Sequence, residues 1–469
     1  MTSVLIGLHA AAVIGLAVYG LLGFFTLFLF LRYRRAQTAT VPAVWDALPV
    51  VTVQLPVYNE RDVVERLILA ATAFHYPRDR LQIQVLDDST DETTRLAAQC
   101  VASFAARGLD IALIHRDHRR GFKAGALQEG LTEARGELVA IFDADFVPPP
   151  DFLLRTVPYF MADDELGAVQ ARWGHLNDCQ SGLTGAQAVA LDKHFAIEQF
   201  VRFRADFFPK FNGSAGVWRR ECIDDAGGWQ ADTVCEDLCL STRAVLAGWK
   251  FHLANDVVAP AELPATILAY KTQQARWAMG ATQCLTKYAR SIWQAENQPV
   301  SARAYALLSM SAYMTHALVL VLLLIQLPLL LLGGSPPSWL LPLSIIGLGQ
   351  PVLFILAQWV LYPDWIRRLR HFPTLLLVAF GLAPSNTWAV IRGLFARRFT
   401  FARTPKGRST TYRLSPGRMV SAELLLMLYA IGASIVAFKT GNPGALPFLV
   451  TAAISFGYVS FHSLRNNLP

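Results

Sequence analysis

The chain has 469 residues, 53% of them apolar, a net charge of +7 and a mean hydropathy of +0.34. That balance is too apolar for an ordinary soluble enzyme. The positive excess is arginine beside apolar runs, which suits an anionic membrane surface rather than nucleic acid, and no nucleic-acid-binding motif is visible.

Residues 4–31 carry no Asp, Glu, Lys or Arg and are followed by Arg32, Arg34 and Arg35. The run is long enough to cross a hydrocarbon core of roughly 30 Å. A secretory signal carries its charges before a shorter core, so residues 1–35 read as a retained transmembrane anchor. The basic flank puts the chain beyond residue 32 in the cytoplasm.

From 46 to 300 the composition is that of a soluble domain and holds most of the acidic residues. Strands are expected at 50–55, 81–86, 111–114 and 138–142, with helices at 63–74, 93–106 and 125–134 between them. This βα order predicts a mostly parallel, doubly wound sheet. No Gly-x-Gly-x-x-Gly opens the first helix, which argues against a dinucleotide redox enzyme. A further helix over 278–295, with Lys287 and Arg290 among apolar residues, is expected to lie along the membrane surface.

Apolar runs return at 305–332, 339–362, 372–395, 419–438 and 444–464, making 301–469 a transmembrane bundle. The run at 372–395 lies between two basic segments, 367–370 and 397–413, and is interrupted by Pro384-Ser385-Asn386. Crossing the membrane would strand one basic segment outside. An interfacial or re-entrant helix is therefore expected there, with five true spans; a sixth span is the alternative. The whole reads as a multi-pass integral membrane protein, in the plasma membrane or a bacterial inner membrane. The six cysteines show no metal or disulfide spacing and read as free thiols.

Three acidic pairs stand out in the soluble part. Asp87-Asp88 ends the second strand, where a nucleotide's ribose and base would sit. Asp143 and Asp145 end the fourth, where in open α/β sheets ligands bind; two carboxylates there can share a divalent cation that holds a diphosphate. Glu236-Asp237 opens a helix and offers a general base for an attacking hydroxyl. Taken singly, each pair is as readily a cap or a solvated turn; all three in one α/β domain, with a membrane bundle after it, are hard to read as coincidence.

The longer motifs carry a family resemblance: Asp87-Asp88-Ser89-Thr90-Asp91, Arg120-Gly121-Phe122-Lys123-Ala124-Gly125, Phe142-Asp143-Ala144-Asp145-Phe146, 169–173, 211–219, 225–229, and Gln273-Gln274-Ala275-Arg276-Trp277. The chain resembles family 2, GT-A-fold inverting glycosyltransferases of the cellulose-synthase-like group, nearest to plant-type mannan and glucan synthases and their bacterial relatives. The resemblance implies that Tyr58, Glu60 and Asp88 contact the nucleoside, Lys123 and Arg276 the diphosphate, and that Asp143 and Asp145 hold Mg2+ or Mn2+. It makes Asp237, with Glu236 beside it, the base. Gln273 and Trp277 would bind the acceptor sugar, with the Asn212-Gly213-Ser214 loop. Phe401 to Lys406 resembles a gating loop, in which Thr404 and Lys406 touch the donor diphosphate; Arg403 and Pro405 depart from the family pattern. The implied donor is UDP-glucose or GDP-mannose. The implied acceptor is a growing β-linked glycan, with a membrane lipid such as a ceramide or diacylglycerol as the alternative. A non-catalytic scaffold would have lost one of Asp143, Asp145, Asp237 or Arg276, and none is lost.

Overall fold

The computed structural model describes residues 1–35, 48–395 and 417–465. Seven strands form one sheet: β1 (Val51–Val57), β2 (Leu81–Asp87), β3 (Ile111–His115), β4 (Leu138–Ile141), β5 (Leu166–His175), β6 (Gly216–Arg219) and β7 (Lys250–Ala261), in the order β3-β2-β1-β4-β6-β5-β7. The β3-β2-β1-β4 half is parallel, as the alternation of strands and helices predicts. β6 runs antiparallel between β4 and β5, and β7 returns parallel to β5. The three strands beyond 142 add to the four expected.

The two-residue period of a strand sorts side chains between two cores. Along β4, Leu138 and Ala140 join Val51, Val53 and Leu55 under the Val64–Thr72 and Phe152–Ala162 helices, while Val139 and Ile141 face the other way. The second core is continuous with the membrane helices: Ile141 and Trp218 share it with Leu29, Phe30, Tyr305 and Leu353. The sheet is thus packed onto the bundle rather than tethered beside it.

Among the described residues five helices are long and apolar enough to span a membrane: Thr2–Tyr33, Met314–Leu331, Leu340–Leu361, Met419–Lys439 and Pro443–Arg465. The chain is therefore membrane-integrated. The segments Trp365–Gly381 and Ala383–Phe395 meet at a 48° bend, which makes a sixth span if the bent pair counts as one. The break falls where Pro384 takes an early position of the second segment, a place a helix tolerates proline. The first helix lies against the third with small residues between them; a Cβ on Gly20 would stand 2.1 Å from the Ile346 carbonyl oxygen, the close approach typical of membrane helices.

Two helix expectations need correction. The 305–332 run is divided into Val300–Met310 and Met314–Leu331 without proline or glycine, by a turn whose Ser311 carbonyl accepts from both the Met314 amide at 2.8 Å and Tyr19 Oη at 3.0 Å. The helix expected at 278–295 starts eleven residues earlier, as Ile267–Trp293. It is capped by Thr266, whose hydroxyl accepts from the Ala269 amide. All six cysteines are free, four of them buried.

Candidate active site

A cleft of about 1290 Å³, its open mouth included, lies beyond the carboxyl ends of β1, β2 and β4. Tyr58, Glu60, Asp88, Lys123, Asp143, Asp145, Asn212, Gly213, Glu236, Asp237, Gln273, Arg276 and Trp277 all line it. These residues lie far apart in sequence; the sheet order and the Ile267–Trp293 helix bring them together.

Three loops hold unusual backbone at its rim. Asn59, Phe122 and Ala215 have φ of 55°, 51° and 56°, a region costly for residues with a Cβ and found where a site over-determines the chain. They neighbour Tyr58 and Glu60, Lys123, and the 212–214 loop respectively. Gly213, with φ of 82°, is further constrained: a Cβ there would lie 2.8 Å from Asp237 Oδ2.

Lys123 is the centre of charge. Its Nζ is 2.5 Å from Asp143 Oδ1, 2.7 Å from the Gly213 carbonyl oxygen and 4.0 Å from Glu236 Oε1. Burial works against its charge, but Asp143 and Glu236 outweigh burial and hold the lysine above its ordinary value. The acids opposite respond in kind. Burial pushes Glu236 up to about 7 against the pull of Lys123, and burial likewise raises Asp237. Asp237 Oδ1 accepts from the Leu238 amide at 2.8 Å, at the start of the Glu236–Leu246 helix.

Asp88 lines the cleft, but both its oxygens are taken by Arg116, Nε at 2.6 Å and Nη2 at 2.5 Å. Ser214 does not reach the cleft. It is fully buried; its hydroxyl accepts from the Asp143 amide at 2.9 Å and its carbonyl from Gln170 and Trp173. It braces the end of β4 instead of facing an acceptor. Thr404 and Lys406 lie outside the described residues.

Sequence reasoning assigns no role to Arg119, Trp173 or Glu262, which also line the cleft. The Arg119 guanidinium lies 3.4 Å over the Tyr58 ring, a cation–π contact. Glu262 pairs with Arg66 at 2.7 Å. Trp173 lies within the 169–173 motif, which is the available signal; Arg119 and Glu262 carry none.

As a metal site, Asp143 and Asp145 offer the hard oxygen ligands that Mg2+ or Mn2+ prefers. Among the described residues no group of three or more His, Cys, Asp or Glu is placed to hold an ion alone. Two carboxylates leave the remaining ligands of such an ion to a diphosphate and water, and Asp143 would share its Oδ1 with Lys123.

A family model described as "Glycosyltransferase like family 2" matches residues 49–280. Glucomannan 4-beta-mannosyltransferase 7 of Arabidopsis thaliana is 35% identical over 437 residues, covering 90% of this chain and 78% of that protein. Glucomannan 4-beta-mannosyltransferase 9 of the same plant is 33% identical, covering 90% and 82%. Among solved structures, a mannosyltransferase from Pyrobaculum calidifontis in complex with GDP-Man and Mn2+ has a TM-score of 0.56 at 23% identity, covering 83% of this chain and 100% of that one; it supports the GT-A fold. With relatives of this identity matching along nine tenths of its length, the chain belongs to glycosyltransferase family 2, in the cellulose-synthase-like group, and is a hexosyltransferase that uses a nucleotide sugar.

Proposed function

We propose that this enzyme adds mannosyl residues from GDP-mannose to a growing β-linked mannan or glucomannan at a membrane, with inversion. The observation that carries the reading is that the named mannosyltransferase relatives match through the membrane half as well as the catalytic half, over 90% of the chain. In this reading 1–35 is an anchor, 46–300 a cytoplasmic catalytic unit and 301–469 the bundle.

The chemistry comes from the cleft. An acceptor hydroxyl seated against Trp277 and Gln273 gives its proton to Asp237 as its oxygen attacks the anomeric carbon. The bond from that carbon to the diphosphate breaks, and GDP leaves with the electron pair. Burial suits Asp237 to this task, because a carboxylate kept from water is a stronger base. Lys123 and Arg276 face the charge that grows on the leaving diphosphate. The apolar face of a pyranose suits the Trp277 ring. Tyr58 and Glu60, with Arg119, bound the nucleoside end, and Asp88 shapes it through the arginine it holds. Asp143 and Asp145 would hold Mg2+ or Mn2+, which neutralises diphosphate charge when bound. Thr404 and Lys406 would close on the donor.

Membranes supplied in parallel with radiolabelled GDP-mannose and UDP-glucose, with Mn2+, test this. Label from GDP-mannose in an insoluble, mannanase-sensitive fraction is expected. Label from UDP-glucose alone would overturn the donor, and label in the chloroform phase would make the acceptor a lipid.

A further inference from the structure

A line of partly buried polar contacts joins the cleft to the membrane helices and has no part in the chemistry above. The Gly182–Lys193 helix passes into a π-helical turn, His194–Gln199, and resumes as Phe200–Ala205. Such turns widen a helix locally and recur at functional sites. Here the turn aims His194 and Gln199 at Asn212, a cleft residue, with Glu198 behind His194.

The hydrogen-bond directions can be worked out from one carbonyl. Gln199 Nε2 donates to the Lys210 carbonyl at 2.7 Å, which fixes the orientation of its amide; the same nitrogen donates to Asn212 Oδ1 at 2.6 Å. Asn212 Nδ2 therefore faces His194 Nε2, at 2.9 Å, and the imidazole nitrogen accepts. The other ring nitrogen, Nδ1, then carries the proton and donates to Glu198 Oε2 at 3.1 Å. A carboxylate behind an imidazole selects its tautomer in this way. Burial, opposed by Glu198, holds His194 below its ordinary value, so the ring stays neutral as the arrangement requires.

Both ends of the line are anchored. Glu198 Oε1 is 2.6 Å from Lys193 Nζ, which donates to Gln350 Oε1 at 3.2 Å; Gln350, within the Leu340–Leu361 span, donates to the Tyr19 carbonyl of the first membrane helix at 3.2 Å. At the cleft end, Asn212 leads directly into Gly213, which lies against Asp237 and whose carbonyl accepts from Lys123.

We propose that the Glu198–His194 pair is the positioning device of the Asn212–Gly213 loop, and that the Leu340–Leu361 membrane helix sets it through Gln350 and Lys193. The inference rests on Asp237 acting as the base, but not on which sugar is transferred. Neither residue touches substrate; they keep the loop against Asp237 while the acceptor binds.

The test is a double-mutant cycle on the full-length enzyme in detergent, read as release of nucleoside diphosphate from whichever of GDP-mannose and UDP-glucose the wild type uses. His194→Phe removes both the acceptor and the donor of the ring. It should lower kcat about 10- to 100-fold, the scale at which misplacement by about 1 Å acts, with donor KM within about twofold. His194→Gln can supply both contacts and should retain most activity. Added to Asn212→Ala, His194→Phe should cost nothing further, because coupled residues do not add. Additive losses, or equal failure of the Gln and Phe variants, would overturn the proposal. So would loss of GDP binding by calorimetry in His194→Phe, since that would mean collapse of the site. Should the wild type release diphosphate from neither donor, the functional reading fails on its own. The same cycle then runs on mannohexaose binding, where a non-additive loss sustains the positioning role and an additive one ends it.

Discussion

Two acidic pairs at the same edge of the sheet have opposite surroundings. At the end of β2, Asp87 accepts from the Ser89 amide, the Thr94 hydroxyl and His115, and Asp88 takes a bidentate arginine. Every carboxylate oxygen has a dedicated donor. Across the cleft, Glu236 is buried and Asp237 partly so; Lys123 lies 4.0 Å from Glu236, Arg276 acts on both, the Leu238 amide donates to Asp237, and both carboxyls are still pushed up. The first pair is built to keep its charge and hold a loop. The second is built to take up a proton. In sequence both are simply two neighbouring acids, and only the donors around them tell structure from chemistry.

Breaking the second pair should have the largest catalytic effect. Asp237→Asn keeps the shape and removes the base, so transfer should fall by about 100- to 10,000-fold while calorimetry still detects GDP-mannose binding. Breaking the first should act on stability instead. Arg116→Met leaves the buried Asp88 carboxylate unpaired, at a cost of about 3–5 kcal/mol, seen as a lower thermal unfolding midpoint in detergent. If Arg116→Met unfolded no earlier than wild type, the pair would not be structural.

Gly213→Ala separates the two pairs further, because it disturbs Asp237 without touching any charge. The new Cβ would meet the carboxylate at 2.8 Å in a backbone region with φ of 82°, and kcat should drop about 10- to 100-fold with donor KM little changed. The smallest effect is that of pH. A carboxyl whose value is raised becomes a base only as pH rises through that value. The acid limb of kcat/KM should therefore lie above the ordinary carboxylate range near 4, because burial raises the Asp237 carboxyl. A limb at the ordinary range would mean that burial does not set the base.

Much of the site was legible because its carboxylates terminate apolar runs: Asp143 comes directly after 138–142, and strand ends are where such sheets bind ligands. The helix start at 267 was missed: Thr266 caps it, but the polar stretch Gln273-Gln274 interrupts the apolar pattern. Other features could not be read. Arg119 meets Tyr58 although far from it in sequence, only because the parallel sheet brings the ends of β1 and β3 to one edge. Asn212-Gly213-Ser214 looks like a single turn, yet Gly213 faces the cleft and Ser214 turns inward to the Asp143 amide, a division set by tertiary packing. The break at 311–313, where a tyrosine from the first helix donates to the turn, left no local mark.

Whether Glu236–Asp237 is the reacting centre is tested most directly by single-turnover release of GDP from saturating GDP-mannose with a glucomannan acceptor, comparing wild type with Asp237→Asn across the neutral range. The wild-type rate is expected to climb with pH through a limb above the ordinary carboxylate range, because burial raises the Asp237 carboxyl, while the Asn variant binds donor but shows a residual, pH-flat rate. An Asn variant that retains the wild-type rate and limb would place the base elsewhere.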